Sequence, residues 1–334
     1  MMAENKGILV FGEIAEGKFS SITTELLGCG RKLADELKED LSCLLVSDTV
    51  GDLYKEAIAF GADKVYTVED SALKRYEADC YMQVADQVIG QVSPRVILLG
   101  NTPMGADLAP RLAFRLQVGL STDCLELSID PGTKQLMQTS SVYGGNAQAV
   151  FTAEALPQIA TIRVKAMSPI KRDGSRKGEV IPTKVAVDMS KVKTKIVGTI
   201  KEEVTGVKLE DAPAIVCGGR GCGGPDPYNT TLKELAAVLK GAVGASRPPC
   251  DNGWVPEAMH IGLTGKIVAP DIYFAIAISG ASQHMSGCSG SKTIIAINKD
   301  PEANIFKQAH YGVVGKFEDV VPALTSKLKE LLAG

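Results

Sequence analysis

Short apolar runs alternate with amphipathic stretches through the first third of the chain. Residues 7–13 read as a strand, and residues 22–37 place Leu26, Leu27, Leu33, Ala34 and Leu37 on one face of a helix. A strand at 42–47 follows, then a short helix over 53–60 closed by Gly61 as a C′ glycine. Strands at 64–68 and 95–100 and helices at 76–90 and 104–116 continue the rhythm. Such alternation predicts a parallel sheet with helices on both faces. The pattern then changes, and residues 137–152 and 157–164 read as β-ribbon segments without intervening helices. Residues 168–178 are polar and rich in breakers, a loop, and residues 184–204 read as an extended piece leading out of a first domain.

A second unit opens at Ala214-Ile-Val-Cys217, with a glycine-rich turn and a helix over 230–239 behind it. Residues 272–280 form a nearly continuous apolar run with the length of a strand buried on both faces. It ends in the small, polar Ser279-Gly-Ala-Ser-Gln-His-Met-Ser-Gly287, and a second run, Thr293-Ile-Ile-Ala-Ile-Asn298, follows closely. Asp300 and Pro301 then have the N-cap and first-turn residues of a helix. Two buried strands joined by a short crossover form a parallel βαβ unit, whose ligands lie beyond the carboxyl ends of the strands. The fold class is therefore α/β with two domains, 1–206 and 207–334, each a mostly parallel sheet flanked by helices. The second is a doubly wound, Rossmann-like unit.

Composition narrows the function classes. A length of 334 residues suits two domains. A net charge of −3 gives no electrostatic case for nucleic acid as a partner. No apolar run approaches the roughly 20 residues that span a bilayer, and the N-terminus lacks a signal-peptide pattern, so a cytoplasmic location is expected. None of the eight cysteines forms a Cys-x-x-Cys pair, so they read as reduced, buried thiols rather than ligands of zinc or iron–sulfur clusters. No Ser/His/Asp or Cys/His pattern points to a nucleophile.

Gly219-Arg-Gly-Cys-Gly-Gly224 matches Gly-x-Gly-x-x-Gly after a strand, yet the acidic residue expected about 20 positions on is missing. It reads as a turn that lets Arg220 and backbone amides approach an anion, or as a plain strand–helix loop. Val243-Gly-Ala-Ser-Arg247 and Gly262-Leu-Thr-Gly-Lys266 are further tight turns carrying a cation and a hydroxyl.

Taken in order, Cys217-Gly-Gly-Arg-Gly221, Val243-Gly-Ala-Ser-Arg247, Gly262-Leu-Thr-Gly-Lys266, Pro270-Asp-Ile-Tyr273, Ile278-Ser-Gly-Ala-Ser-Gln-His284 and Ala296-Ile-Asn-Lys-Asp-Pro-Glu-Ala303 resemble the electron transfer flavoprotein alpha subunit family. The resemblance implies FAD in the second domain and a first domain that packs on a beta subunit without a cofactor of its own. It implies that Arg220 contacts the cofactor and that Ser246 and Arg247 lie at the flavin ring, where an Arg stabilises added negative charge. Thr264 would donate to the flavin N5 and His284 to its C2 carbonyl. Ser279, Gly280, Ala281, Ser282 and Gln283 would line the pyrophosphate at a helix N-terminus, and Asn298 would bind the adenosine side. The family usually has Gln at Leu263, Asp at Lys316 and an acidic residue at His310. Lys316 has no acceptor for a ribose hydroxyl, which puts that contact in question.

The implied role is an electron carrier, exchanging electrons with an NADH-linked beta subunit, an acyl-CoA dehydrogenase or a quinone acceptor. A variant is flavin-based electron bifurcation with ferredoxin as a further acceptor. The alternative is a stand-alone NAD(P)-dependent oxidoreductase, against which stand the missing ribose acid and the lack of a proton donor beside a substrate pocket.

Overall fold

A computed structural model describes residues 5–15, 17–143, 147–198 and 207–333. These fall into two compact units, one drawn from 5–142 and 147–198 and one from 207–333. The expected boundary at 206/207 adjoins residues 199–206, which lie outside the described residues, as do Met1–Glu4 and the end of the 184–204 segment.

The first unit holds strands β1 (Ile8–Gly12), β2 (Ile14–Ala15), β3 (Lys18–Phe19), β4 (Leu41–Ser47), β5 (Lys64–Glu69) and β6 (Val96–Gly100). Beyond them come β7 (Leu120–Ile129), β8 (Leu136–Val142), β9 (Ala147–Phe151), β10 (Gln158–Ile162) and β11 (Glu179–Pro182). Its helices are α1 (Ser21–Leu37), α2 (Leu53–Ala59), α3 (Ala78–Val92) and α4 (Pro103–Leu116). Among the described residues, one nine-stranded sheet runs β11-β5-β4-β1-β6-β10-β7-β8-β9, and β2 and β3 form a small separate hairpin.

Strand alternation splits the core. In β1, Ile8 and Val10 join α1 and α2 through Leu26, Leu33 and Ile58, whereas Leu9 and Phe11 join α3 and α4 through Val84, Val88 and Leu108. Both faces are buried, which is why the parallel strands read as unbroken apolar runs. Helix α4 starts where Thr102 accepts a hydrogen bond from the Gly105 amide, with Pro103 in the first turn.

Two expectations need correction here. The segment 157–164 is not a ribbon: β10 inserts parallel between β6 and β7, and all five of its residues are buried. Only β8 and β9 extend the sheet antiparallel. The helix expected at 76–90 runs Ala78–Val92, because Glu77 is the N-cap and accepts from the Cys80 amide.

The second unit holds β12 (Ala214–Gly218), β13 (Ala242–Ala245), β14 (Ile272–Ile276), β15 (Thr293–Asn298) and β16 (Tyr311–Val314). Its helices are α5 (Asp226–Asn229), α6 (Thr231–Val238), α7 (Arg247–Asp251), α8 (Ser282–Met285) and α9 (Phe317–Ala333). The sheet is parallel throughout, in the order β13-β12-β14-β15-β16. Helices α6 and α9 cover one face through Leu232, Leu235, Phe317 and Val321. Loops and short turns cover the other through Ile261, Val268, Met285 and Ile305.

The helix expected from Asp300 is absent. Asp300 accepts from the Glu302 amide and closes a turn, and a 3-10 segment follows only at Asn304–Lys307. The strand expected over 272–280 stops at Ile276, because Ala277 turns left-handed with φ of 53°.

Candidate functional site

Strand β12 lies between β13 and β14, so the direction of winding reverses at β12 and a crevice opens at the carboxyl ends of these strands. A cleft of about 860 Å³ occupies that position. Its floor is the backbone of Gly219 and Gly221 against Ala277 and Ile278; a Cβ on Gly219 would stand 2.2 Å from the Ala277 carbonyl oxygen. Glycine is required there because two strand ends approach backbone to backbone.

Two cations flank the cleft. Arg220 is exposed and its side chain has no ion-pair or hydrogen-bond partner among the described residues, leaving its guanidinium available to an anion. Arg247 is braced: its Nε donates to Asp251 Oδ1 at 3.1 Å and its Nη1 to Thr264 Oγ1 at 3.1 Å. Pro248 and Pro249 fix the short turn beneath it. Ser246 is buried, its amide donating to the Gly218 carbonyl at 3.0 Å.

Loop 260–264 forms the opposite wall. Leu263 donates its amide to the Gln283 carbonyl at 2.7 Å and leaves its side chain 55% exposed. The backbone thus fixes this position, and Leu contributes an apolar surface where the family usually has an amide. Thr264 is exposed and engaged with Arg247.

His284 lines the cleft, but both of its ring nitrogens are taken. Nδ1 lies 3.0 Å from the Ile261 carbonyl, which can only accept, so Nδ1 carries the proton. Nε2 then accepts from the Tyr273 hydroxyl at 3.0 Å. Burial pushes the imidazole pKa down to about 4, so the ring is neutral near pH 7. In this arrangement His284 ties α8 to loop 260–264 and Tyr273.

Ser279, Ala281, Gln283 and Asn298 also line the cleft. Asn298 spends its side chain inside the protein, donating to the Ile278 carbonyl at 2.9 Å and accepting from the Asp300 amide at 3.0 Å. Three candidates stand apart. Gly280 is buried beneath Ile305, where a Cβ would meet the Ile305 nitrogen at 2.3 Å. The Ser282 hydroxyl turns to Gln283 Oε1 at 3.3 Å. Lys316 lines a smaller neighbouring cleft of about 270 Å³, whose wall shares Gly221, Ala277 and Asn298 with the first. His310, also away from the cleft, accepts the Ile294 amide at 2.9 Å.

Sequence reasoning missed His260, Glu302, Ala303 and Asn304 on the wall. The last three were hidden by the helix expected at Asp300. His260 precedes the Gly-Leu-Thr-Gly turn by two residues, a signal that its neighbours Gly262 and Gly265 would have sharpened.

A cleft of this volume falls in the range of small-molecule and cofactor sites. A side-chain-free glycine floor, a free guanidinium and a braced one, hydroxyl and amide groups, and an apolar Leu263 suit a ligand with both phosphates and an aromatic ring. Fold and cleft together define a dinucleotide-binding domain.

Residues 208–289 match the family model described as the electron transfer flavoprotein FAD-binding domain, and residues 8–188 match that of the electron transfer flavoprotein domain. Electron transfer flavoprotein subunit alpha of Thermoanaerobacterium thermosaccharolyticum is 44% identical over 99% of this chain and 100% of its own length. That of Megasphaera elsdenii is 43% identical over 98% of each. Protein FixB of Clostridium saccharobutylicum is 38% identical over 99% of each. The chain belongs to the electron transfer flavoprotein alpha subunit family, and its cofactor is FAD. These matches disfavour the stand-alone NAD(P)-dependent oxidoreductase.

Other expectations meet direct observations. All eight cysteines are free thiols, and all but the half-buried Cys250 are buried. Among the described residues no helix is long and apolar enough to cross a membrane.

Proposed function

We propose that this chain is the FAD-carrying subunit of a two-chain electron carrier working in the cytoplasm. Residues 1–206 pack on a beta subunit and residues 207–334 hold the flavin. Electrons arrive from an NADH-linked beta subunit or a dehydrogenase and leave to an acyl-CoA dehydrogenase or a quinone acceptor. The observation that carries this reading is the cleft over the β12 switch point with one free and one braced guanidinium at its edge.

Bound FAD supplies the redox chemistry, accepting electrons from one protein and returning them to another. The chain's own residues hold and bias it. Arg220 and the amide of Gly221 meet the phosphates, with Ser279, Ala281 and Gln283 on the facing wall. Arg247, fixed by Asp251 and Thr264, keeps a positive charge at the ring without reorganising when negative charge develops. Leu263 covers the ring with an apolar surface. Gly280, Ser282, His284 and Asn298 act through the backbone they position, and Lys316 lies beside the adenosine end.

Replacing Arg247 with Gln tests this directly. The variant complex is expected to retain FAD, while its flavin becomes harder to reduce by about 60 mV, a tenfold change for a one-electron couple. Spectroelectrochemical titration measures it, and an unchanged potential would remove Arg247 from the ring. Flavin content of the complex separates two versions of the role. One FAD marks a simple carrier; a second flavin in the partner marks a bifurcating assembly with ferredoxin as acceptor.

A further inference from the structure

One titratable side chain in the cleft wall has no role so far. His260 follows the 3-10 turn Glu257–Met259 and pairs with Ala245 at the end of β13. Its backbone is held on both sides: the Ile261 amide donates to the Ala245 carbonyl at 2.9 Å, and the Lys266 amide donates to the His260 carbonyl at 2.8 Å. The residue is therefore fixed in place next to Ser246 and Arg247.

The side chain is only 3% exposed, yet it lines the cleft. Nδ1 lies 3.3 Å from Glu257 Oε1 but too far off line to form a hydrogen bond, and it has no other partner among the described residues. Nε2 likewise makes no hydrogen bond among the described residues. Two glycines make room for the ring. A Cβ on Gly265 would stand 2.6 Å from Nδ1, and one on Gly262 would stand 3.2 Å from Nε2. Gly262 itself lines the cleft, so Nε2 lies at its edge. His284, by contrast, has both nitrogens satisfied within the protein. A buried imidazole without partners is costly unless a ligand completes it.

We infer that His260 is a further FAD-binding residue, offering Nε2 to the bound cofactor, with the negative charge of Glu257 3.3 Å from Nδ1 favouring the proton on that nitrogen. The inference rests on the reading that FAD occupies this cleft. A neutral ring with its proton on Nδ1 presents an acceptor at Nε2, which suits the ring N–H of a flavin.

The experiment uses the complex with its beta subunit, labelled with 15N-histidine and titrated with FAD, alongside His260→Leu and His260→Gln. The His260 ring signals, assigned by their loss in His260→Gln, are expected to shift on FAD binding. His260→Leu is expected to weaken FAD binding about tenfold, with His260→Gln recovering most of the loss. Three results would overturn the inference: FAD binding that leaves the His260 signals unmoved, a Leu variant that binds as tightly as the parent, or Leu and Gln variants weakened equally, which marks a packing role. If the variants do not fold, the His260 signals are assigned instead by elimination with His284→Gln and His310→Gln, and the parent titration decides. A parent complex that binds no FAD overturns the cleft reading itself, and this inference with it.

Discussion

A Gly219→Ala chain is expected to keep its first unit folded and to lose FAD. The added Cβ would stand 2.2 Å from the Ala277 carbonyl oxygen and 2.9 Å from the Ile278 Cα, all backbone that cannot rotate away. Gly219 is also anchored, its amide donating to the Ile276 carbonyl at 2.9 Å at the end of the β12–β14 pairing. The two strand ends must part, at a cost of about 1–3 kcal/mol or more. They part on the floor of the cleft, so the cofactor loses its closest backbone approach. Flavin absorbance per protein after desalting measures the loss. Gly224→Ala is the control: it lies in the same glycine-rich turn with open space around its Cβ position and no left-handed backbone. It is expected to retain FAD. Full flavin content in Gly219→Ala would show that the cofactor does not depend on this floor.

The second large effect concerns pH and the first unit. Glu13 and Glu25 are both pushed from the ordinary 4.5 up to about 7, chiefly by loss of solvation. Glu13 keeps one partner, the Thr102 hydroxyl donating to it at 2.7 Å, and Glu25 accepts from the Lys165 amide at 2.8 Å. Because the folded-state pKa is raised, the folded chain binds these protons more tightly than the unfolded chain does. That contribution is complete below 4.5 and disappears as pH climbs to about 7. It amounts to about 3 kcal/mol for each carboxyl at most. Glutamine keeps an acceptor oxygen and never ionises. The double variant Glu13→Gln, Glu25→Gln is therefore expected to match the parent near pH 4.5 and to gain stability over it steadily up to pH 7. Urea unfolding across that window measures the gap. Parallel curves would mean that these carboxyls ionise without penalty.

The sequence showed most clearly those features that one segment settles alone. Buried parallel strands such as β1, β12 and β14 announce themselves as short apolar runs, and α1 and α4 as periodic faces. Strand order is set by partners far away in the chain. Nothing within Gln158–Ile162 says that it pairs between β6 and β7. Strand β11, with partly exposed residues and a terminal Pro182, has little apolar signal. Asp300-Pro301 has helix-start chemistry, but β16 begins at Tyr311 and leaves room only for a turn and a 3-10 segment.

The site followed the same division. Glycine-rich turns and strand ends pointed to the cleft, and most of the named residues do meet there. Which side chains are free could not be read from the sequence. His284 and Asn298 look like ligand donors in a sequence, yet both spend their polar atoms within the protein. His260 looks like a solvent-facing histidine until Gly262 and Gly265 are seen to open a space for its ring.

The most direct test of where the cofactor sits is amide hydrogen exchange on the complex with its beta subunit, with and without FAD. FAD is expected to slow exchange at 219–221, 246–248, 260–264 and 278–284, the segments that converge on the cleft. Protection absent from all four and confined to residues 5–142 and 147–198 would contradict the account.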